Sequence, residues 1–252
     1  MEMMIRKLIY SNLIILLSIS LCACAHKSGH NKKDQTSNGQ KYRSNSQGDK
    51  AEVSVDINHR STTKMDGSVI FAKYNTAVFM IYTSDGTNAY QGSGFFIDDS
   101  GLAVSNYHVF QGTNIGYEQL KLVGSDSAFK VTEVLGKNEE EDIIVFRVNC
   151  DNTNYIPIAI RKPNIGEKVY AIGSPRGLEN TFSSGEVSQW RAENLMQINA
   201  LIDHGSSGGA LINEYGEAVG ITSGSFYDGS QANLNYAWSI DVIKPYVEIK
   251  EQ

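Results

Sequence analysis

Asp203-His204-Gly205-Ser206-Ser207-Gly208-Gly209-Ala210-Leu211-Ile212 is the stretch on which the reading of this 252-residue chain turns. Gly205-x-Ser207-x-Gly209 sets one serine between glycines that tolerate a sharp backbone turn, so the hydroxyl is exposed and nearby N–H groups can converge beside it. Ser207 is thereby a candidate nucleophile. The same five residues also describe a small-residue turn before a strand, and partners elsewhere in the chain decide between the two.

A serine hydroxyl is a weak nucleophile at neutral pH and needs a base, with a third group to hold that base in one tautomer. The chain has five histidines. His26 and His30 lie in a polar N-terminal tail and His59 at its end, whereas His108 follows the apolar run Leu102–Ser105 and His204 shares the loop of Ser207, where it shapes the rim. His108 is the candidate base. Asp142 heads the apolar run Ile143-Ile144-Val145-Phe146, which carries it toward the interior, and is the candidate orienting carboxylate; a strand-start cap is its plainer reading. An α/β-hydrolase built on Gly-x-Ser-x-Gly places its histidine after the serine, and no histidine follows Ser207. The order His108, Asp142, Ser207 is instead that of chymotrypsin.

From Asn75 onward the apolar runs are short, β-branched or aromatic, and bounded by Gly, Asn, Asp and Pro, which predicts an all-β fold. Strands are expected at 77–82, 92–97, 102–105, 120–123, 128–135 and 143–148. After a bridge bearing Pro157 and Pro163, six more are expected at 168–172, 182–188, 195–200, 209–212, 218–223 and 234–238. Even spacing with turn signals suggests barrels or a sandwich, in two units. Ser239 can cap a short C-terminal helix carrying Ile240, Ile243 and Val247, limited by Pro245.

With these residues in place the chain resembles the trypsin-like serine proteases, and most closely the HtrA/Deg group. The resemblance rests on Gln91-Gly92-Ser93-Gly94-Phe95-Phe96-Ile97, Val104-Ser105-Asn106-Tyr107-His108-Val109 and Asp142-Ile143-Ile144-Val145-Phe146-Arg147-Val148. It rests further on Ala171-Ile172-Gly173-Ser174-Pro175, Ser184-Gly185-Glu186-Val187-Ser188, and Gln197-Ile198-Asn199-Ala200 leading into Gly205-Ser206-Ser207-Gly208-Gly209. It implies two six-stranded antiparallel β-barrels with a triad in the cleft between them: Ser207 attacks, His108 shuttles the proton, Asp142 orients His108, and the N–H groups of Gly205 and Ser207 form the oxyanion hole.

By position the resemblance also places Leu201 and Ile202 at the base of the primary substrate pocket, Asn235 and Ala237 on one wall, and Thr222, Ser223 and Gly224 on another. No carboxylate sits at that base, so small or medium apolar side chains are expected there. Ser206 replaces the aspartate of enzymes activated by cleavage, so no zymogen step is expected. Asp203 and His204 depart from the asparagine and proline common in HtrA loops. No PDZ domain follows residue 252, so PDZ gating is not expected, and the group admits a trimer. The expected partners are protein or peptide substrates, with no cofactor and no metal. A protease-fold binding or chaperone module with a latent triad is the reading from another class.

The beginning of the chain reads separately. In residues 1–23, Arg6 and Lys7 precede the apolar run Leu8–Leu21, the pattern of a secretory signal; an uncleaved anchor is the other reading. Leu21-Cys22-Ala23-Cys24 resembles the lipobox of bacterial lipoproteins, which implies a lipidated Cys24, an exported protein in a bacterial cell envelope and a membrane bound through the lipid, facing the periplasm or the surface. Ordinary cleavage near Ala23 or Ala25 is the alternative. Residues 24–66 are then a polar, disordered tether and residues 67–252 the protease domain. With Cys22 removed and Cys24 modified, Cys150 has no disulfide partner and reads as a small buried hydrophobe. Residues 51–252 hold 14 basic and 25 acidic residues, a net charge of −11 that argues against nucleic acid as a partner. Glu139-Glu140-Glu141 reads as a solvated turn.

Overall fold

The computed structural model describes residues 53–56, 61–225 and 234–250. The signal segment, Cys24 and most of the expected tether lie outside those residues. Among the described residues, no helix is long and apolar enough to cross a membrane.

The first set of strands is β2 (Val78–Ser84), β3 (Ala89–Phe96), β4 (Leu102–Ser105), β5 (Gln119–Leu122), β6 (Ala128–Phe129), β7 (Val131–Asn138) and β8 (Ile143–Val148). They form one antiparallel sheet in the order β6-β5-β2-β3-β4-β8-β7. The first of the two expected β units is thus a curled sheet with seven strands, one more than expected. The predicted strand 128–135 divides at Lys130. The Glu118 side chain accepts from Val131 N–H at 2.8 Å, and Lys130 Nζ donates to the Glu118 carbonyl, so the chain leaves β5 there and joins β8.

The second set is β9 (Lys168–Gly173), β10 (Thr181–Trp190), β11 (Leu195–Ile198), β12 (Ala210–Asn213), β13 (Ala218–Ser225) and β14 (Asn235–Ser239). These close into a barrel, β10-β11-β14-β13-β12-β9, as the sequence predicted.

Three elements differ from the sequence reading. Ser54–Asp56, placed in the tether, forms β1, which pairs in parallel with β15 (Glu248–Lys250) and buries Val55 completely. Three residues are too few to show periodicity, and the partner lies 194 residues away, Ser54 against Glu248. Helix α1 (Gly67–Tyr74) was not expected; it buries Ile70 and Tyr74, one turn apart. The C-terminal helix shrinks to a 3₁₀ turn, Ile240–Ile243, in which Ser239 Oγ accepts from Asp241 N–H as predicted. Pro245 has no N–H to continue it, and the chain runs into β15 instead.

Alternation along the strands sorts the core into three clusters. Phe79, Phe96, Phe110, Leu120 and Phe146 fill the inside of the sheet, with Phe79 and Phe96 rings 4.7 Å apart and Phe110 and Phe146 rings 5.2 Å apart. Val169, Met196, Ile198, Leu211 and Val219 fill the barrel. The intervening residues Val78, Phe95, Val104 and Val145 face the other way and join Ile172, Ala210, Ile221 and Ile243 in a third cluster between the two halves. Strands buried on both faces explain the continuous apolar runs in the sequence.

Candidate active site

β4 and β8 are antiparallel neighbours with Ser105 opposite Ile144, so the residues leaving β4 and entering β8 meet at one end of the sheet. Asn106 remains extended, and the one-turn helix α2 (Tyr107–Phe110) then lifts His108 above that end. Asp142 has φ 47°, a left-handed conformation uncommon outside glycine but open to aspartate. Asn106 Nδ2 holds its carbonyl at 2.8 Å. The Asp142 carboxylate thereby turns onto His108: Oδ1 accepts from His108 N–H at 2.9 Å and Oδ2 contacts Nδ1 at 2.8 Å. An ionised carboxylate offers only acceptors, so Nδ1 carries the proton and the Nε2 lone pair points away from Asp142. The carboxylate is mostly buried, with a side-chain exposure of 18%, and the imidazole is open at 45%.

Ser207 lies on the turn between β11 and β12. Its carbonyl accepts from Ser93 N–H at 2.8 Å, which ties the turn to β3 of the sheet. Gly208, at φ 86°, leaves no room for a side chain: a Cβ there would run into the Ser93 carbonyl and Ser105 Oγ and lie 3.1 Å from Asn106 N. The serine loop therefore rests against the residues that lead into His108. From the barrel side, Gly208 N–H donates to Thr222 O at 2.7 Å and Thr222 N–H to Gly209 O at 2.9 Å. A Cβ on Gly224 would stand 3.8 Å from Ser207 Oγ, so the end of β13 borders the hydroxyl.

The preceding turn is closed by Ser206 N–H donating to Asp203 O at 2.9 Å, with Gly205 at φ 93°. Arg176 N–H holds the His204 carbonyl at 2.8 Å, directing it away from the N–H of the same peptide. Among the described residues, the N–H groups of Gly205 and Ser207 have no acceptor, as a site for an incoming oxyanion requires. Asp203 accepts from His204 N–H at 2.7 Å and from Arg176 Nε at 2.8 Å. The His204 N–H first, and the Arg176 guanidinium second, hold its carboxyl below the usual range.

The expected pocket residues separate. Leu201, Ile202 and Thr222 line a cavity of about 430 Å³ together with Ala171, Phe182 and Ser206. Ser223, expected on a pocket wall, instead donates from Oγ to Asp142 Oδ2 at 2.8 Å, giving the carboxylate its third hydrogen bond. Asn235 is buried with Nδ2 on the Ala200 carbonyl at 2.7 Å, and Ala237 is fully buried inside the barrel, so neither presents a surface to a substrate. Gly224 stays beside Ser207. Cys150 is half-buried, and burial first, then Asp151 and Asp98, pushes its thiol up to about 11. Sequence reasoning missed Arg176, the hydroxyl of Ser93 and the contact of Ser223 with Asp142, whose partners lie 27 to 112 residues away in the chain. The glycine-flanked position of Ser93 was the one signal present.

The family profile of a trypsin-like peptidase domain matches residues 92–221. Protease Do-like 1, chloroplastic, of Arabidopsis thaliana is 32% identical over 165 residues, which cover 60% of this chain and 36% of that protein. A probable periplasmic serine endoprotease DegP-like of Halomonas elongata is 31% identical over 160 residues, covering 60% and 33%. The chain thus spans about a third of the length of these two relatives. The crystal structure of a serine endoprotease from Yersinia pestis superposes with a TM-score of 0.64 at 27% identity, covering 72% of this chain and 65% of that one.

Proposed function

The chain belongs to the trypsin-like peptidase family, and we propose that it is a serine endopeptidase that hydrolyses peptide bonds of exported or misfolded proteins through an acyl-enzyme. The observation that carries the reading is the double grip of Asp142 on His108, through the backbone N–H and Nδ1, at the cleft where the Ser207 turn is seated.

In this mechanism Nε2 of His108 takes the proton of Ser207 as Oγ attacks the scissile carbonyl. The imidazolium that forms is stabilised by Asp142, and Ser223 keeps that carboxylate oriented. The carbonyl oxygen becomes an oxyanion facing the N–H groups of Gly205 and Ser207. One such donor is worth about 10²–10³ in rate. His108 then protonates the leaving amine, and water, activated by the same imidazole, hydrolyses the ester.

The residue that supplies the acyl group would have a small or medium apolar side chain, since Ala171, Phe182, Leu201 and Ile202 line the cavity and its two charged residues, Arg176 and Asp203, are paired with each other. Cleavage of an unstructured peptide library mainly after Lys or Arg would contradict this. The DegP-like relative is named periplasmic, and an envelope location with a lipid on Cys24 fits that company.

Labelling with a fluorophosphonate tests the nucleophile. Wild type is expected to label and Ser207→Ala to lose both label and turnover, the latter by about 10⁶. Label retained in Ser207→Ala removes Ser207 from the role. A folded wild type that never labels replaces the enzyme with the latent binding module.

A further inference from the structure

The donor at Gly205 depends on the orientation of two peptide planes on either side of a glycine, a residue with no intrinsic preference for the φ of 93° that it adopts. Each plane is pinned by its carbonyl, and both pins lead back to β3 of the sheet. The Gly205 carbonyl accepts from Ser93 Oγ at 2.7 Å, and the same hydroxyl accepts from Ser174 N–H at 2.9 Å. The His204 carbonyl is held by Arg176 N–H, and the segment that carries Arg176 is in turn held by Gln91. Gln91 Nε2 donates to Ser174 O at 2.7 Å, and its Oε1 accepts from Gly177 N–H at 3.0 Å. Ser93 is fully buried and Ser174 equally so, so no water replaces the hydroxyl without rearrangement.

We propose that Ser93 and Gln91 are positioning residues of the oxyanion turn: through Gly205 O and the segment 174–177 they keep the Gly205 N–H aimed at the cleft. Neither touches substrate. This rests on the endopeptidase reading for its kinetic consequence but not for its structural one. An alanine at 93 leaves Ser174 N–H without a partner at the head of the segment whose Arg176 N–H holds the His204 carbonyl, and leaves Gly205 O with only the 3.5 Å contact from Gln91 Nε2. The 204–205 peptide, which carries the donor, is then held less firmly, and the transition state loses a donor while the ground state loses little.

Ser93→Ala and Gln91→Ala are to be compared with wild type on a fluorogenic peptide bearing alanine at the cleaved position, and in affinity for the matching peptide boronate, which forms the tetrahedral adduct. The expected result for Ser93→Ala is a kcat lower by about 10- to 100-fold, KM within about twofold, and boronate affinity reduced in proportion to kcat. Gln91→Ala, at a half-buried site, follows with a smaller loss of the same kind. Ser93→Thr, which keeps the hydroxyl, restores most of the kcat. A change confined to KM, or a kcat within about twofold of wild type in a folded Ser93→Ala protein, overturns the proposal. Amide exchange gives an answer independent of turnover: Ser174 and Ser206 are expected to exchange faster in Ser93→Ala, and unchanged rates also overturn it. A wild type that does not label with fluorophosphonate defeats the endopeptidase reading while leaving this exchange comparison to decide the role of Ser93.

Discussion

In the sheet, His108 and Asp142 leave adjacent antiparallel strands, and one register, Ser105 opposite Ile144, brings them into contact. In the barrel, Ser207 sits on a turn punctuated by Gly205 and Gly208, both at positive φ, and its shape is supplied from outside. Thr222 holds it from below, and Ser93 and Arg176 hold it from the side. The His108–Asp142 contact is therefore a property of one sheet, whereas the Ser207 turn acquires its geometry only when the two halves are packed together. A buried cluster common to both halves, with Val104 and Val145 against Ile172 and Ile221, provides that packing.

The sharpest way to break this comparison is at the His108–Asp142 contact. Asp142→Asn keeps the shape but gives Nδ1 an amide to face, which favours the wrong tautomer of His108. Turnover is expected to fall by about 10⁴ with little change in the melting temperature, as kcat and calorimetry would show. A loss below tenfold would mean that Asp142 does not orient the base.

A second test asks whether the halves are energetically one. Phe146 lies wholly in the sheet's own cluster, and Phe146→Ala is expected to cost about 3–5 kcal/mol. The chain has two tryptophans, Trp190 in β10 and Trp238 in β14, so their fluorescence reports on the barrel. If the shared cluster couples the halves, that fluorescence changes at the same lowered temperature as the whole protein. Barrel unfolding at the wild-type temperature would show that the turn can be assembled without the sheet.

The smallest effect is expected at Asp203. Its carboxyl is held below the usual range in the folded chain, so folding releases the proton. The contribution is complete above the unfolded value of about 4 and is lost as the pH falls through the lower folded value. The melting-temperature advantage of wild type over Asp203→Asn is accordingly constant from neutral pH down to about 4 and closes on further acidification. An advantage that grows in acid would reverse the assigned sign.

The histidine, the aspartate and the serine were legible because each sits where local pattern changes: at the end of Leu102–Ser105, at the head of Ile143–Val148, and between glycines before Ala210–Asn213. The strands were legible for the same reason, since β-branched runs bounded by turn residues report directly on burial. Where an element was set by a distant partner the sequence was silent. β1 exists because Ser54 pairs with Glu248, and β6 parts from β7 because Glu118 reaches the backbone at Val131. Ser223 was placed on a pocket wall by its position in the family resemblance; its hydroxyl instead found Asp142, which lies 81 residues earlier in the chain.

By itself, then, the sequence determined the all-β class and singled out His108, Asp142 and Ser207 in that order, because alternation, turn chemistry and motif spacing act over a few residues; the closed second barrel was implied by the family resemblance. The tertiary structure alone decided that the first half is a seven-stranded sheet, that Ser223 bonds the Asp142 carboxylate, and that Ser93 reaches Gly205 and Gln91 reaches Gly177. Those outcomes depend on hydrogen bonds between segments up to 112 residues apart, whose donors and acceptors are common residues that acquire meaning only once the packing of the two halves brings them within 3 Å.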